Sequence, residues 1–148
     1  MARTINNVGL TLIKTFEGCK LTAYQDVAGI WTIGYGHIRG VTAGMVFTQD
    51  QADQALMSDL LGTETAVDND LTGVDTTDNQ FAAMVALAYN IGVGTFATSS
   101  VLRDHRAGQT AAAADAFLLW DEARIGGTLQ AVPGLTRRRN AERTLYLT

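Results

Sequence analysis

Phe16 to His37 reads FEGCKLTAYQDVAGIWTIGYGH, and the stretch changes character at Gly18. Upstream, VGLTLIKTFEG places Val8, Leu12 and Phe16 at i, i+4 and i+8 with Ile13 beside them, the pattern of an amphipathic helix. Asn7 is the expected N-cap and Gly18 the stop, so Glu17 falls in the last turn. Downstream, Tyr24, Ile30, Trp31, Thr32, Ile33 and Tyr35 favour strands and Gly29 favours a turn. This predicts a small hairpin, with a third short strand near Met45 to Phe47. Gly34, Gly36, Gly40 and Gly44 keep the region from being a simple sheet.

From Thr48 onward the pattern is helical. Thr48 and Gln51 form a capping box ahead of ADQALMSDLL, with Ala52, Leu56 and Leu60 on one face. The following TETAVDNDLTG either extends that helix or breaks at Gly62. A second capping box, Thr77 with Gln80, opens FAAMVALAYNIG, which is apolar nearly all round, as a buried central helix is. Helices are then expected over SSVLRDHRAG, over TAAAADAFLLWDEA, and from Pro133–Gly134 through RRRNAERTLYL. No internal repeat or low-complexity tract is present. The class is α+β, mostly α, with one small hairpin lobe early in the chain.

The chain has 148 residues, 47% hydrophobic and 18% charged, enough for one domain, or two small lobes sharing a helix, with a real core. Its net charge is −4, unevenly spread: residues 1–80 carry 4 basic and 10 acidic side chains, residues 81–148 carry 7 and 5. A nucleic-acid footprint is absent. The cluster Arg137, Arg138, Arg139 and Arg143 reads as a helix face or site wall. One cysteine, Cys19, excludes an intrachain disulfide. No cluster of His, Cys and acid has metal-ligand spacing, so neither metal nor cofactor is expected. MARTINNVGLTLIK lacks an apolar run long enough for a signal peptide or membrane anchor, which predicts no membrane insertion.

Two acids and a hydroxyl stand out as E-x8-D-x5-T: Glu17, Asp26 and Thr32. In a hairpin centred on Gly29, residues whose numbers sum to 58 would face each other, pairing Asp26 with Thr32 on one face; Glu17 would approach from the side. Glycoside hydrolysis needs one protonated and one ionised carboxyl. A helix C-terminus and apolar neighbours both disfavour a charged Glu17, whereas Asp26 lies on a more open hairpin. A threonine hydroxyl beside the aspartate can hold a water for direct attack. From these residues alone the alternatives stay open: an Asp in a turn commonly bonds its own backbone, and a Glu in a last helical turn is commonly a solvated charge.

The motif as a whole goes further. EGCKLTAYQDVAGIWTIGYGH resembles the pattern E-G-x-x-L-x-A-Y-x-D-x-x-G-x-x-T-I-G-x-G-H of the phage-type lysozymes, a glycoside hydrolase family of endolysins. Asn90-Ile91-Gly92 with Phe96 and Ser99 to Leu102 resembles the family's N-x-G…F…S-T-L-L segment. Ala113 to Trp120 resembles a central amphipathic helix, and PGLTRRRNAERTLYL the closing segment. The match runs in order over nearly the whole chain, closest to single-domain lysozymes of tailed phages that infect Gram-negative bacteria.

The resemblance implies a lysozyme-like two-lobe fold with a cleft between the lobes and the Thr48–Leu71 region as connector. Residues 1–148 would be one lysozyme domain, with a small hairpin lobe at about 18–60 and a helical lobe at about 72–148 that includes the N-terminal helix. It implies a muramidase cutting the β-1,4 bond between N-acetylmuramic acid and N-acetylglucosamine in peptidoglycan for host lysis. Glu17 would be the general acid, Asp26 the second carboxylate that places or activates water, and Thr32 the residue that helps hold it. Tyr89, Asn90 and Ser100 fall on cleft-wall positions and Arg138 and Arg139 on paired arginines, so substrate contacts are expected there. His37 and Gly36 close the motif as structural neighbours of the site. Peptidoglycan strands are the expected partner, with no nucleic acid and a monomer by default. Cytoplasmic synthesis and release through a membrane lesion are the expected route. Two rivals remain: a lytic transglycosylase, against which Asp26 and Thr32 speak, and a silent wall-binding or phage structural protein, against which the intact triad speaks.

Overall fold

The computed structural model describes residues 3–148. These residues pack as two compact units: 3–12 with 63–148, and Ile13–Gly62.

Helix α1 (Asn7–Glu17) carries the first acid to its C-terminus. Its N-cap is Asn6 rather than the expected Asn7: the Asn6 carboxamide oxygen accepts from the Gly9 N–H at 3.0 Å, satisfying one of the orphan donors of the first turn. At the other end the Gly18 N–H donates to the Lys14 carbonyl at 3.0 Å.

The unit Ile13–Gly62 is built on the hairpin of β1 (Lys20–Gln25) and β2 (Trp31–Gly34). The expected third strand is a short attachment: Ala23 N–H donates to Met45 O at 2.9 Å and Phe47 N–H to Leu21 O at 2.8 Å. The register differs from the expected one. Thr32 pairs with Tyr24 and Trp31 with Gln25, so facing numbers sum to 56, not 58. The cause is the loop. Gly29 N–H bonds Asp26 O and Asp26 N–H bonds Ile30 O, each at 2.9 Å. Gly29, at φ +80°, then makes the left-handed step of a three-residue hairpin loop. Because the slip is even, Asp26 and Thr32 keep to one face, as diagonal neighbours rather than a facing pair.

Helix α2 (Gln49–Asp70) runs unbroken through Gly62. Its capping box is formed: Gln51 N–H donates to Thr48 Oγ1 at 3.1 Å, and Thr48 N–H to Gln51 Oε1 at 2.8 Å.

In the larger unit, α3 (Asp78–Ile91) starts at the capping box of Thr77 with Gln80 and buries every residue from Phe81 to Ala88. Each large side chain so buried contributes about 1.5–3 kcal/mol. It packs against α7 (Pro133–Leu147), with Pro133 in its first turn. Short helices α4 (Val93–Ala97), α5 (Ser100–Arg106) and α6 (Thr110–Ala116) lie between them in sequence. The helix expected over TAAAADAFLLWDEA ends early: α6 stops at Ala116, a 3-10 turn covers Phe117–Trp120, and a second hairpin follows, β3 (Glu122–Ile125) with β4 (Thr128–Ala131). Gly126–Gly127, both at positive φ, form its two-residue turn, a recognised hairpin signal. The chain is therefore mostly helical with two small antiparallel hairpins.

Candidate active site

Asp26 and Thr32 are joined through one residue, Ile30. Oδ1 of Asp26 accepts the N–H groups of Ala28 and Ile30, each at 2.9 Å. The Ile30 carbonyl in turn accepts from the Thr32 hydroxyl at 2.9 Å. Asp26 thus does bond its own turn, but with one oxygen only; among the described residues no hydrogen bond reaches Oδ2. Asp26 is half-buried and Thr32 is 4% exposed. Both polar groups are consequently fixed in direction. Thr32 has spent its only hydrogen on Ile30, so its oxygen faces other groups solely as an acceptor.

Glu17 lies in the same unit, half-buried at the last residue of α1. Gly36 is exposed in the turn after β2. His37 follows it, its backbone exchanging two 2.9 Å hydrogen bonds with Ile33. The His37 imidazole Nδ1 sits 2.9 and 3.1 Å from the two Asp59 oxygens on α2. His37 therefore ties the end of the motif to α2. Neither Ile30, which acts through its backbone, nor Asp59, 22 residues from His37, carries a spacing signal that would have picked it out.

The remaining candidates lie in the other unit. Arg139 and Glu142 are fully buried and Arg138 is 3% exposed. Glu142 receives both guanidiniums: Arg138 Nε at 3.1 Å and Arg139 Nε at 3.0 Å. Arg138 also donates to the Ala86 carbonyl at 3.0 Å and Arg139 to Asn90 Oδ1 at 2.6 Å. These arginines brace α7 against α3. Tyr89 is half-buried and Asn90 exposed at the end of α3. Ser100 is half-buried in the first turn of α5, whose cap is the neighbouring Ser99, accepting from Leu102 N–H at 3.3 Å. Among the described residues no group of His, Cys, Asp and Glu is arranged to hold a metal ion.

Comparison with known proteins adds a second line of observation. The model of the family described as phage lysozyme matches residues 14–142. An endolysin of Acyrthosiphon pisum secondary endosymbiont phage 1 is 41% identical over 142 residues, 96% of this chain and 97% of that protein. Among solved structures, the muramidase domain of SpmX from Asticaccaulis excentricus superposes with a TM-score of 0.93 at 40% identity, covering 99% of both chains. The endolysin from Escherichia coli O157:H7 phage FAHEc1 gives 0.93 at 39% identity, covering 98% of this chain and 94% of that one.

Proposed function

The chain belongs to the phage lysozyme family, and from that premise we propose that it is an endolysin-type muramidase. Its substrate would be the β-1,4 bond between N-acetylmuramic acid and N-acetylglucosamine, cut by direct attack of water with inversion.

The observation that carries this reading is the division of labour around Ile30. With Oδ1 of Asp26 held by two N–H groups, Oδ2 is the oxygen left to take a proton. With the Thr32 hydrogen held by Ile30 O, Oγ1 offers lone pairs. A water between them donates one hydrogen to each, which leaves its own lone pair for the anomeric carbon. Glu17 gives its proton to the glycosidic oxygen as the carbon–oxygen bond breaks. The attacking water forms the new bond and passes its proton to Asp26. One carboxyl ends deprotonated and the other protonated, and exchange with solvent resets both. Such a route needs carboxyls separated by about 6.5–9.5 Å, room for the water. Tyr89, Asn90 and Ser100 would contact the glycan, with Arg138 and Arg139 supporting them from behind. No described helix is long and apolar enough to cross a membrane; release through a lesion made by another protein fits that observation. Peptidoglycan acted on by a monomer, without nucleic acid, completes the reading.

The test is digestion of purified Gram-negative peptidoglycan, with the muropeptides analysed by mass spectrometry and the new anomeric centre by NMR. Reducing, hydrated muramic acid ends released first as the α anomer, and abolished by Glu17→Gln, are expected. Ends in 1,6-anhydromuramic acid would assign a transglycosylase instead. Full activity in Glu17→Gln would remove the proposed acid.

A further inference from the structure

Resting on the reading of Glu17 as the acid, we propose that Asp53 is a positioning residue for it, acting through Lys14 on the helical turn that carries Glu17.

Four side chains from three elements meet at one point. Lys14 Nζ, in the last turn of α1, lies 3.3 Å from Asp53 Oδ1 on α2. The Gln49 amide, one turn earlier on α2, uses both its hydrogens: one goes to Asp53 Oδ1 and one to the Tyr35 hydroxyl, each at 3.0 Å. Lys14 Nζ also stands 5.6 Å from the centroid of the Tyr35 ring, within cation–π range. Tyr35 is 9% exposed in the turn just after β2, and burial pushes its phenol up, so the ring stays neutral beside Asp53. The hydrogen bond from Gln49, followed by Lys14, holds the Asp53 carboxyl below the usual carboxylate range against desolvation.

The placement of this knot gives it a role. Lys14 is three residues before Glu17, and its carbonyl takes the last helical hydrogen bond, from Gly18 at 3.0 Å. Tyr35 is three residues after Thr32, in the turn that ends the strand. The knot therefore ties the turn bearing the acid to the strand bearing the water-holding hydroxyl, with the first turns of α2 as the common anchor. As a stability device it is poorly sited: Lys14 and Asp53 are 31% and 37% exposed, and exposed pairs contribute little. As a constraint it acts where a helix end would otherwise fray and where misplacement is costly: about 1 Å can cost 10²-fold in rate.

The test compares Lys14→Met, Asp53→Asn and the double variant, measuring kcat and KM on soluble peptidoglycan fragments alongside Tm. Each single variant is expected to lower kcat about tenfold at unchanged KM, with Tm within about 4 °C of the parent. The double variant should fall no further than either single, because both break one connection. Gln49→Met, which leaves the ion pair and removes both amide donors, gives a milder version of the same change. Arg143→Ala, which breaks the exposed pair with Asp115, should leave kcat alone. Unchanged kcat in both singles, a loss confined to KM, or losses that multiply in the double variant would each overturn the proposal. A fully active Glu17→Gln would instead overturn the functional reading, whatever the Asp53 variants do.

Discussion

Thr32 donates its hydroxyl hydrogen to the carbonyl oxygen of Ile30 at 2.9 Å. The same carbonyl takes the Asp26 N–H, and the Ile30 N–H returns to Asp26 Oδ1, both at 2.9 Å. The threonine is thereby restricted to accepting from anything in front of it. Thr32→Val keeps the shape and removes that acceptor, so kcat is expected to fall by tenfold or more, approaching the roughly 10²–10⁴-fold typical of a positioned proton-transfer group. Thr32→Ser keeps the oxygen and should stay within a few-fold of the parent. Steady-state kinetics on peptidoglycan fragments decides: equal activity in Val and Ser variants would mean that the hydroxyl holds no water.

Much of this arrangement was legible in the sequence because it is local. The capping boxes at Thr48 and Thr77 are four-residue patterns, and both are formed. The placement of Asp26 and Thr32 on one face needed only parity, which survived a register error of two residues. What sequence did not yield is contact at a distance. Lys14 with Asp53 and His37 with Asp59 are far apart in sequence, the latter pair by 22 residues, and have no periodicity to mark them. The second hairpin was hidden by AAAAD, whose helix propensity extends a reading past Ala116 unless the Gly126–Gly127 turn is weighed against it.

Glu142 sits fully buried between two guanidiniums, Arg138 and Arg139. Removing one member of a buried charged set leaves the others without their counter-charge, at a cost of about 3–5 kcal/mol. Glu142→Gln should therefore lower unfolding free energy by about 3 kcal/mol in urea titrations. A change under about 1 kcal/mol would indicate that water reaches the cluster, as it does at a surface pair.

Gly9 marks a close approach of α1 to α3. A Cβ built there would lie 2.6 Å from Ala82 Cβ and 2.8 Å from Ile5 Cδ1. Gly9→Ala gains about 1 kcal/mol of helix propensity, but overpacking costs about 1–3 kcal/mol, and Ala82, fully buried in α3, has no room to withdraw. The steric cost should win, giving a net loss of about 1 kcal/mol. Ala82→Gly should remove the Ala82 clash while leaving the one with Ile5, so the double variant should lose less than the two singles summed, which thermal unfolding of parent, both singles and double can establish.

His105 sets the last prediction, on pH. It is 4% exposed, with Nε2 2.8 Å from Thr76 Oγ1 and Nδ1 2.6 Å from the Tyr146 hydroxyl. The neutral ring satisfies both: Nε2–H donates to Thr76, whose own hydrogen goes to Val74 O at 3.3 Å, and Nδ1 accepts from Tyr146. Protonation would strand the tyrosine hydrogen against a second donor. Burial, followed by the nearby Arg106 charge, lowers the His105 pKa in the folded state. Below the unfolded value of about 6.5 the unfolded chain thus binds more protons, and stability falls as pH falls from there through the lowered folded value, by up to about 1.4 kcal/mol per pH unit. Tyr146 acts at the opposite end: burial, then Asp104, pushes its phenol up to about 12. Its contribution is complete below about pH 10 and is lost as pH rises through the folded value. Glu64, raised by desolvation against its bond from Ile5 N–H, works against His105 in acid, since its protonation favours the folded state; it is common to parent and variant and cancels in their difference. Urea unfolding of parent and His105→Gln at about pH 7.5, 6.5 and 5.5, values that bracket the histidine's unfolded pKa, is the measurement. The variant should start less stable at the highest pH and lose less on acidification, so that the two curves converge. Parallel curves would show that His105 keeps the same affinity for protons folded and unfolded.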